Sequence, residues 1–409
     1  MRLGFVVQRY GKDVNGGAEL HCRLMAEHLA RRSEVDAVTV FTSCAFDYRS
    51  WANHYAPGVE QLNGVRVERF AVPFRRFPLL HDALGLLTTR GPRLSRLEPA
   101  WVVAQGPYLP GLLDRLSQVA GDYDAFIFFT YLYYPTVYGM ERVKQRAVLF
   151  PTAHDEPQIT QRIYRRVFST PRALVYNTPE EREFVRRLFD VGGLPDAIVG
   201  CGIDLPGPAA PNPRPEVGAP PYLLSVGRLS ASKGVGELCA EFVKFKQQHA
   251  SLSFQGLDGR SYRGSELRLL LAGRRAGVRI PDRDDIQVLG FVSDSEKRAL
   301  FDAAELVVAP SRFESLSLVV LEAWAHGKSV LVNGGCAVTR GLAQRGKGGD
   351  AYDAASPFST TLARLLEDPE LRSRQGAQGR RYVEAEFAWP RVEQRMLDIL
   401  ERVVQGGST

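Results

Sequence analysis

The chain has 409 residues, of which 44% are hydrophobic and 24% are charged. This composition excludes disordered and collagen-like chains, and the length, at roughly 100–200 residues per domain, predicts two or three domains. The 52 Lys and Arg residues against 46 Asp and Glu residues give a net charge of only +6, which argues against general nucleic-acid binding and favours local basic patches. Such patches suit phosphate-bearing small molecules or an anionic membrane surface.

The cysteines and the apolar segments bear on the cellular compartment. Five cysteines lie far apart with no CxxC pair, so neither a disulfide framework nor a zinc site is expected, and a reducing cytoplasm is the simplest compartment. The first ten residues lack the apolar run of a secretory signal, and we expect no signal peptide. The most apolar stretch, 125–140, is interrupted by Pro135 and several Tyr and predicts a buried strand running into a helix rather than a membrane span.

Short β-branched or aromatic runs alternate with helical patterns in both halves of the chain, which predicts βαβ units around parallel sheets. In the first half the predicted strands are 3–8, 37–43, 65–72, 125–131, 147–153 and 173–178, and the predicted helices include 19–32 and 178–189. In the second half the predicted strands are 222–227, 266–273, 286–291, 306–311 and 329–334, with helices at 293–304 and 389–404.

A Pro-rich segment separates the two series of elements. We therefore predict a Rossmann-like N-terminal domain at 1–204, a linker at 205–221, a Rossmann-like C-terminal domain at 222–386 and a terminal helical segment at 387–409 that crosses back toward the N-terminal domain. This is an α/β fold of two doubly wound domains facing each other across a cleft. Because open α/β sheets bind ligands at the carboxyl ends of their strands, the cleft is the expected ligand site.

The first motif is the pair Gly16 and Gly17, which follows the first strand and opens a helix. Paired glycines there allow a phosphate or sugar to approach the backbone amides at the positive helix end. A tight turn that requires positive φ explains them equally well. The GxGxxG and GxxxxGK[ST] patterns are absent from the chain, which argues against NAD and P-loop ATP sites.

The second motif is the pair Arg228 and Lys233, which follows the first strand of the second half. Arg228 offers a planar fork of donors and Lys233 a mobile point charge, a combination that neutralises a diphosphate without a metal. A solvated basic loop is the alternative, and the position at a strand end favours the functional interpretation.

The third motif is a pair of carboxylates eight residues apart, Glu314 in the loop after a strand and Glu322 in the helix that follows. The helix begins between them and presents free amides for phosphate oxygens. Surface helices are rich in Glu, but Glu322 lies in an apolar stretch that a solvated face explains poorly.

Taken together, the chain resembles glycosyltransferase family 4, the retaining enzymes of the GT-B fold. The residues that carry the resemblance occur in the family's order over nearly the whole chain, and the segment from Phe387 to the final helix is similar to the family's domain-crossing tail. These residues are Gly16, Gly17, His154, Arg228, Lys233, Glu314 and Glu322.

The resemblance implies a role for each motif residue. Arg228 and Lys233 bind the donor diphosphate, Glu322 the ribose, Glu314 the donor sugar hydroxyls and His154 the sugar near the reacting centre. Gly16 and Gly17 close over the phosphate, and Ser315, Leu318 and Val319 complete the donor-binding set. The family commonly has glycines where this chain has Ser315 and Ser317, and a different donor sugar is the simplest consequence. For His154 the alternative is a core histidine, and its position at a strand end favours function.

No metal or other cofactor is expected. The two DxD patterns, 122–124 and 282–284, precede strands and are typical of polar turns rather than of divalent-ion sites. The nucleotide of the donor is expected to be UDP first and GDP second, from family frequency alone.

Two basic clusters bear on the acceptor. Residues 66–96 contain seven Arg against two acidic residues, interleaved with Phe and Leu, and either lie on an anionic membrane surface or form a long irregular loop packed on its own domain. A second cluster, Arg162, Arg165 and Arg166, is a candidate for holding an acceptor phosphate.

The sequence thus predicts a cytoplasmic, retaining, metal-independent glycosyltransferase, with peripheral contact to the inner face of the cell membrane left open. It would move a sugar from a nucleotide-diphosphate donor to a glycan or lipid-linked glycan in envelope or extracellular polysaccharide assembly, without binding nucleic acid. A nucleotide-sugar epimerase of the same fold and a non-catalytic nucleotide-sugar-binding subunit are the alternatives.

Overall fold

A computed structural model describes residues 1–14, 16–89, 92–207 and 221–406. The chain divides into two compact units, the first made of residues 1–202 with the terminal segment from Trp389, and the second of Ile203–Ala388. Residues 208–220, most of the segment expected to be a linker, lie outside the described part.

The first unit is an α/β sandwich around one large sheet. Its strands are β1 (Arg2–Val7), β2 (Ala37–Ser43), β3 (Gly58–Leu62), β4 (Val65–Phe70), β5 (Ala125–Phe129), β6 (Ala147–Phe150), β7 (Ala173–Tyr176) and β8 (Asp196–Ile198). Its α-helices before the second unit are α1 (Gly17–Leu29), α2 (Pro78–Thr89), α3 (Glu98–Gln105), α4 (Pro110–Val119), α5 (Tyr134–Gly139), α6 (Ile163–Ser169) and α7 (Pro179–Leu188). Short 3₁₀ helices occupy Pro92–Leu97, Met140–Arg146 and Pro157–Thr160.

The sheet of the first unit has the strand order β3-β4-β2-β1-β5-β6-β7-β8, and every pair is parallel except β3 with β4. Every residue of β5 is buried, as expected for a central parallel strand covered by helices on both faces. The direction of strand addition reverses between β1 and β5. This switch point is where open α/β sheets leave room for a ligand.

The second unit repeats the architecture with a smaller sheet. Its strands are β9 (Tyr222–Val226), β10 (Ser253–Gln255), β11 (Ser261–Arg263), β12 (Arg268–Ala272), β13 (Ile286–Gly290), β14 (Leu306–Ala309), β15 (Val330–Asn333) and β16 (Gly349–Tyr352). Its α-helices are α8 (Val235–Gln248), α9 (Asp294–Ala303), α10 (Leu318–Ala325), α11 (Ala337–Gly346), α12 (Phe358–Glu367) and α13 (Pro369–Glu386), with 3₁₀ turns at Ala231–Lys233 and Gly264–Glu266.

The main sheet of the second unit is entirely parallel, in the order β13-β12-β9-β14-β15-β16, and β10 and β11 form a separate antiparallel hairpin. The switch point lies between β9 and β14. Both units are therefore Rossmann-like, as the sequence pattern predicts.

The last helix, α14 (Trp389–Gly406), belongs to the first unit. Its Trp389 ring stacks on His28 of α1 with ring centroids 3.6 Å apart, and His28 Nδ1 lies 2.9 Å from Glu393 Oε1. No described helix has the length and hydropathy needed to span a bilayer. All five cysteines are buried free thiols.

Buried His21 on α1 gives a prediction for the acid stability of the first unit. Its ring contacts Phe129 and Phe150 edge-on, with centroids 5.2 and 4.7 Å away. Burial lowers the pKa of His21 to about 3, outweighing a hydrogen bond with the Gly200 backbone.

The unfolded chain takes up a proton at His21 below about pH 6.5, while the folded state does not. The free energy of unfolding therefore falls as the pH falls from about 6.5 toward 3. In His21→Phe, the free energy of unfolding measured by urea titration should fall less between about pH 6.5 and 4 than in the wild type. Exposed His54→Phe, which removes an imidazole from the surface, is the matched control.

Candidate functional site

The second unit brings two predicted motifs together at its switch point. Arg228 and Lys233 lie in the loop after β9, and Glu314 lies in the loop after β14. The two loops touch, because a Cβ on Gly234 (φ +70°) would collide with the backbone carbonyl of Pro310. The neighbouring carboxyl ends of β9 and β14 thus carry the charged residues.

Lys233 and Glu314 form a direct ion pair. Lys233 Nζ donates to Glu314 Oε1 at 2.6 Å, with side chains 31% and 16% exposed. Lys233, which is predicted to bind phosphate, is therefore hydrogen-bonded to Glu314, which is predicted to bind sugar hydroxyls.

The amino end of α10 lies just beyond this pair. Ser317 is its N-cap, with φ +74° in the left-handed region and no side-chain capping bond, and the helix begins at Leu318 and Val319. Ser317 therefore adopts the left-handed backbone conformation that glycine takes at least cost. Ser315 is half-buried in the same loop.

Glu322 lies one turn into α10 and has a partner from another helix. Lys297 Nζ of α9 donates to Glu322 Oε1 at 2.8 Å and lies 3.6 Å from Asp294 Oδ1. Burial opposes the charge on Lys297, but the carboxylates of Glu322 and Asp294 outweigh it and raise the pKa of Lys297. Glu322 is thus held by an ion pair at a fixed place rather than on a solvated face.

The exposed residue Arg228 follows β9 closely. The next strands of the sheet, β12 and β13, are followed by Arg274 and Phe291. Arg274 Cζ lies 5.4 Å from the centroid of the Phe291 ring, which is 56% exposed. The carboxyl ends of neighbouring strands in this sheet therefore carry charged side chains and, after β13, an exposed aromatic ring.

In the first unit, Gly16 and Gly17 open α1. Gly16 is the N-cap with extended backbone (φ −173°), and Gly17 is the first helical residue. Neither has a positive φ, so a turn that requires left-handed backbone is wrong as an explanation. A Cβ on Gly16 would collide with the Glu19 carboxylate, whereas one on Gly17 would meet nothing within 4 Å. Packing accounts for Gly16 and leaves Gly17 unexplained.

His154 lies in the loop after β6, with its Nδ1 3.8 Å from Glu156 Oε1 and its side chain 33% exposed. This exposure is too high for a core histidine. A buried residue holds the start of this loop in place: the backbone amide of Ala153 donates to the carboxyl of Glu181 at 2.5 Å. Burial raises the pKa of Glu181 to about 8 despite its bonds to backbone amides.

The three arginines of the second basic cluster are exposed around α6. Arg166 Nε donates to Glu141 at 2.6 Å, and the backbone amide of Arg162 donates to Glu98 at 3.1 Å. Arg166 is thus paired with an acidic residue, and the role of the cluster in holding an acceptor phosphate stays a prediction. Among the described residues, no group of three or more His, Cys, Asp or Glu side chains is arranged to hold a metal ion.

Comparison with known proteins finds relatives of this chain. A family model for glycosyl transferases group 1 matches residues 220–368. D-inositol 3-phosphate glycosyltransferase of Kineococcus radiotolerans is 26% identical over 432 residues, covering 95% of this chain and 91% of the relative. Together the two matches support the identification of the chain as a glycosyltransferase.

Solved structures show the same fold for the whole glycosyltransferase. Sucrose-phosphate synthase from Thermosynechococcus elongatus superposes with a TM-score of 0.70 at 18% identity, covering 99% of both chains. Anabaena HepE, solved with UDP-glucose, superposes with a TM-score of 0.67 at 18% identity, covering 98% of this chain and all of that one. The predicted GT-B fold of two Rossmann-like domains is confirmed.

Two charged features of the glycosyltransferase, one lysine and one ion pair, were not predicted from its sequence. Lys297, described above, is one. The other is the buried pair of Arg9 and Glu19 beside Gly16, in which Arg9 Nε donates to Glu19 Oε1 at 3.0 Å and Gln8 Nε2 donates to the same oxygen at 2.9 Å. The sequence signal that could have found this pair is a charged residue shortly after β1 and an acidic one in the first turn of α1.

A third unpredicted group adjoins His154. The hydroxyl of buried Tyr131 donates to Glu156 Oε1 at 2.5 Å, and this is the carboxylate oxygen that faces His154. Glu156 is thereby held in place beside the imidazole of the glycosyltransferase.

Proposed function

We propose that this glycosyltransferase transfers a sugar, with retention of anomeric configuration, from a nucleotide-diphosphate donor to a hydroxyl of a glycan or lipid-linked glycan. The observation that carries the proposal is the meeting of Lys233, Glu314 and the amino end of α10 at the switch point of the second unit. Anabaena HepE binds UDP-glucose, which supports a nucleotide-sugar donor with UDP as the first choice, and GDP remains the second.

In this proposal the donor diphosphate lies against Arg228, Lys233 and the first amides of α10. Two cations and a helix amino end supply the charge that a divalent ion would otherwise supply. Lys233 then shares its ammonium between the phosphate and Glu314, which leaves carboxylate lone pairs of Glu314 for sugar hydroxyls. Gly17, with open space where a side chain would stand, leaves the amino end of α1 accessible to the phosphate.

The nucleoside lies on the same edge of the second unit's sheet. Glu322 accepts from the ribose hydroxyls, and Lys297 orients that carboxylate and balances its charge. The exposed ring of Phe291, with Arg274 on its face, offers a planar surface on which the base can stack.

The chemical step we propose is a front-face displacement. The bond between the anomeric carbon and the donor phosphate oxygen breaks, and the acceptor oxygen bonds to the same face of that carbon. The acceptor proton passes to the departing phosphate oxygen, while Arg228 and Lys233 stabilise the charge that develops on the leaving group. His154, steadied by Glu156, contacts the donor sugar.

The biological setting we propose is the cytoplasm, in envelope or extracellular polysaccharide assembly. The relative from Kineococcus radiotolerans is named for an inositol phosphate acceptor, so a phosphorylated polyol is one acceptor to include in any screen.

Incubation with donors labelled in the sugar tests the proposal. The expected result is label in a glycan or polyol product that forms only when an acceptor is present. Label in an epimerised nucleotide sugar would instead identify an epimerase. Binding of the donor with no turnover on any acceptor would identify a binding subunit, and either outcome would overturn the proposal.

Glu322→Ala should weaken binding of the donor and of the free nucleoside diphosphate equally, by about tenfold or more, because each loses a hydrogen bond to a charged group. Isothermal titration of both ligands measures this. Lys297→Met is the matched control, since it removes the partner and keeps the carboxylate, and it should retain more of the affinity. Unchanged diphosphate affinity in Glu322→Ala would show that the ribose role is wrong.

A further inference from the structure

Helix α2 presents apolar side chains to solvent. Seven of the thirteen large hydrophobic residues that are exposed in the described chain lie between residues 74 and 94. On α2 itself Leu79 is 87% exposed, Leu80 51% and Leu86 52%, and the preceding Phe77 is 59% exposed. A helix of a water-soluble domain ordinarily turns such residues inward, so this concentration marks a binding surface.

The orientation of α2 is determined by its other face. Its buried residues are Gly85 and Thr88, both small. Gly85 packs against the Trp101 indole, and Thr88 Oγ1 accepts a 2.6 Å hydrogen bond from buried Gln161 Nε2. Gly85, Thr88 and the partly buried Leu84 attach the helix to the domain, while the other four leucines of α2 are exposed. The segment is therefore a helix, and not the irregular loop of the second alternative.

Exposed arginines lie on α2's neighbouring segments. Arg75 precedes the helix, Arg96 lies in the 3₁₀ turn that packs on it, and Arg162 and Arg165 lie at the start of α6. Glu98 of α3 links this helix to α6, because its carboxylate accepts hydrogen bonds from the backbone amides of Arg162 and Ile163. The negative charge of Glu98 is therefore engaged within the domain.

Helix α2 itself carries a single acidic side chain. Asp82, 76% exposed beside His81, is the acidic residue of α2. Two arginines of residues 66–96 do not add to the exposed positive charge. Arg69 is buried against Glu60, and Arg76 donates to Gln105. Arg75, Arg96, Arg162 and Arg165 remain as exposed cations.

We propose that the α2 surface, defined as Phe77, Leu79, Leu80, Leu86 and Leu87 with Arg75, Arg96, Arg162 and Arg165, docks the protein on an anionic lipid bilayer. The leucines enter the boundary between headgroups and acyl chains, and the arginines contact lipid phosphates. A symmetric contact with a second copy is disfavoured, because it would place like-charged arginines opposite one another.

This proposal stands apart from the chemistry proposed for the second unit, since lipid binding is measured without donor or acceptor. Cosedimentation of the full chain uses vesicles of phosphatidylcholine alone and vesicles that also contain phosphatidylglycerol. We expect binding only to the anionic vesicles, with affinity that falls as salt rises.

Two sets of variants sharpen the test. The double substitution Leu79→Ser with Leu86→Ser should lower vesicle affinity at least about tenfold with an unchanged melting temperature, because both side chains are already in water. Leu257→Ser, which removes a leucine 47% exposed in the second unit, is the matched control and should bind as the wild type. Arg75→Ala with Arg96→Ala should reduce the salt dependence.

Failure of the wild type to bind anionic vesicles would overturn the proposal, as would wild-type binding by the double leucine variant. A dimer seen by sedimentation velocity and lost in that variant would instead assign the surface to a second copy of the chain.

Discussion

Lys233→Ala and Arg228→Ala are each expected to lower the rate of sugar transfer by about 10²–10³-fold. Each variant removes a charge-assisted contact to a leaving phosphate that becomes more anionic in the transition state. The loss should fall mainly on kcat, because ground-state binding of the diphosphate keeps the amino end of α10 and the other cation. Initial rates over a range of donor concentrations separate kcat from KM.

A matched control comes from the same unit. Lys244 pairs with Glu241 on the exposed side of α8, where its side chain is 58% exposed, and Lys244→Ala should leave transfer unchanged. Lys233→Ala also leaves the Glu314 carboxylate without its ion-pair partner. Glu314→Gln, assayed in parallel, shows how much of the loss comes from breaking that pair. Wild-type turnover in both Lys233→Ala and Arg228→Ala would refute the diphosphate assignment.

Glu305→Ala is expected to destabilise the second unit by about 3–5 kcal/mol, because it leaves the Arg372 guanidinium buried without its carboxylate. The two side chains are 0% and 1% exposed and lie 3.3 Å apart. Burial raises the pKa of Glu305 and lowers that of Arg372 despite their pairing, so desolvation dominates here. Chemical denaturation followed by circular dichroism measures the loss.

A paired substitution distinguishes this effect from simple loss of packing. Glu305→Leu with Arg372→Met replaces both charges by apolar groups and should be more stable than either single substitution. Equal destabilisation by the single and paired variants would show that the charge pair is not the cause. Since Glu305 directly precedes β14, a loosened pair should also disturb the loop that carries Glu314.

The central strands were predictable because burial on both faces leaves a continuous apolar run. The run at 125–131 predicted β5, which the structure has at Ala125–Phe129, and the helix at 293–304 is confirmed with a capping box between Ser293 and Glu296. Strand β3 was missed because it is an edge strand whose residues are largely exposed. Its sequence therefore lacks the apolar pattern that sequence reasoning depends on.

The candidate site was predictable only where motif and strand end coincide. Lys233 and Glu314 were each identified in this way, but their ion pair joins residues 81 apart in sequence and no local pattern indicates it. The same holds for Lys297, whose link to Glu322 depends on how α9 and α10 pack. For the exposed leucines of α2 the sequence left a membrane surface and a packed loop as alternatives, because composition alone does not say which face of a helix is turned to solvent.

The central claim is sugar transfer with retention at a site whose cations are Arg228 and Lys233. One measurement tests it most directly: transfer assayed in EDTA, followed by NMR of the anomeric proton of the product. Two fixed cations and an oriented helix end make a divalent ion unnecessary for a diphosphate, so the rate should be unchanged by the chelator and the product should keep the donor's anomeric configuration. Complete loss of activity in EDTA, restored by magnesium or manganese, would contradict the assignment of the cations, and an inverted product would contradict the proposed displacement.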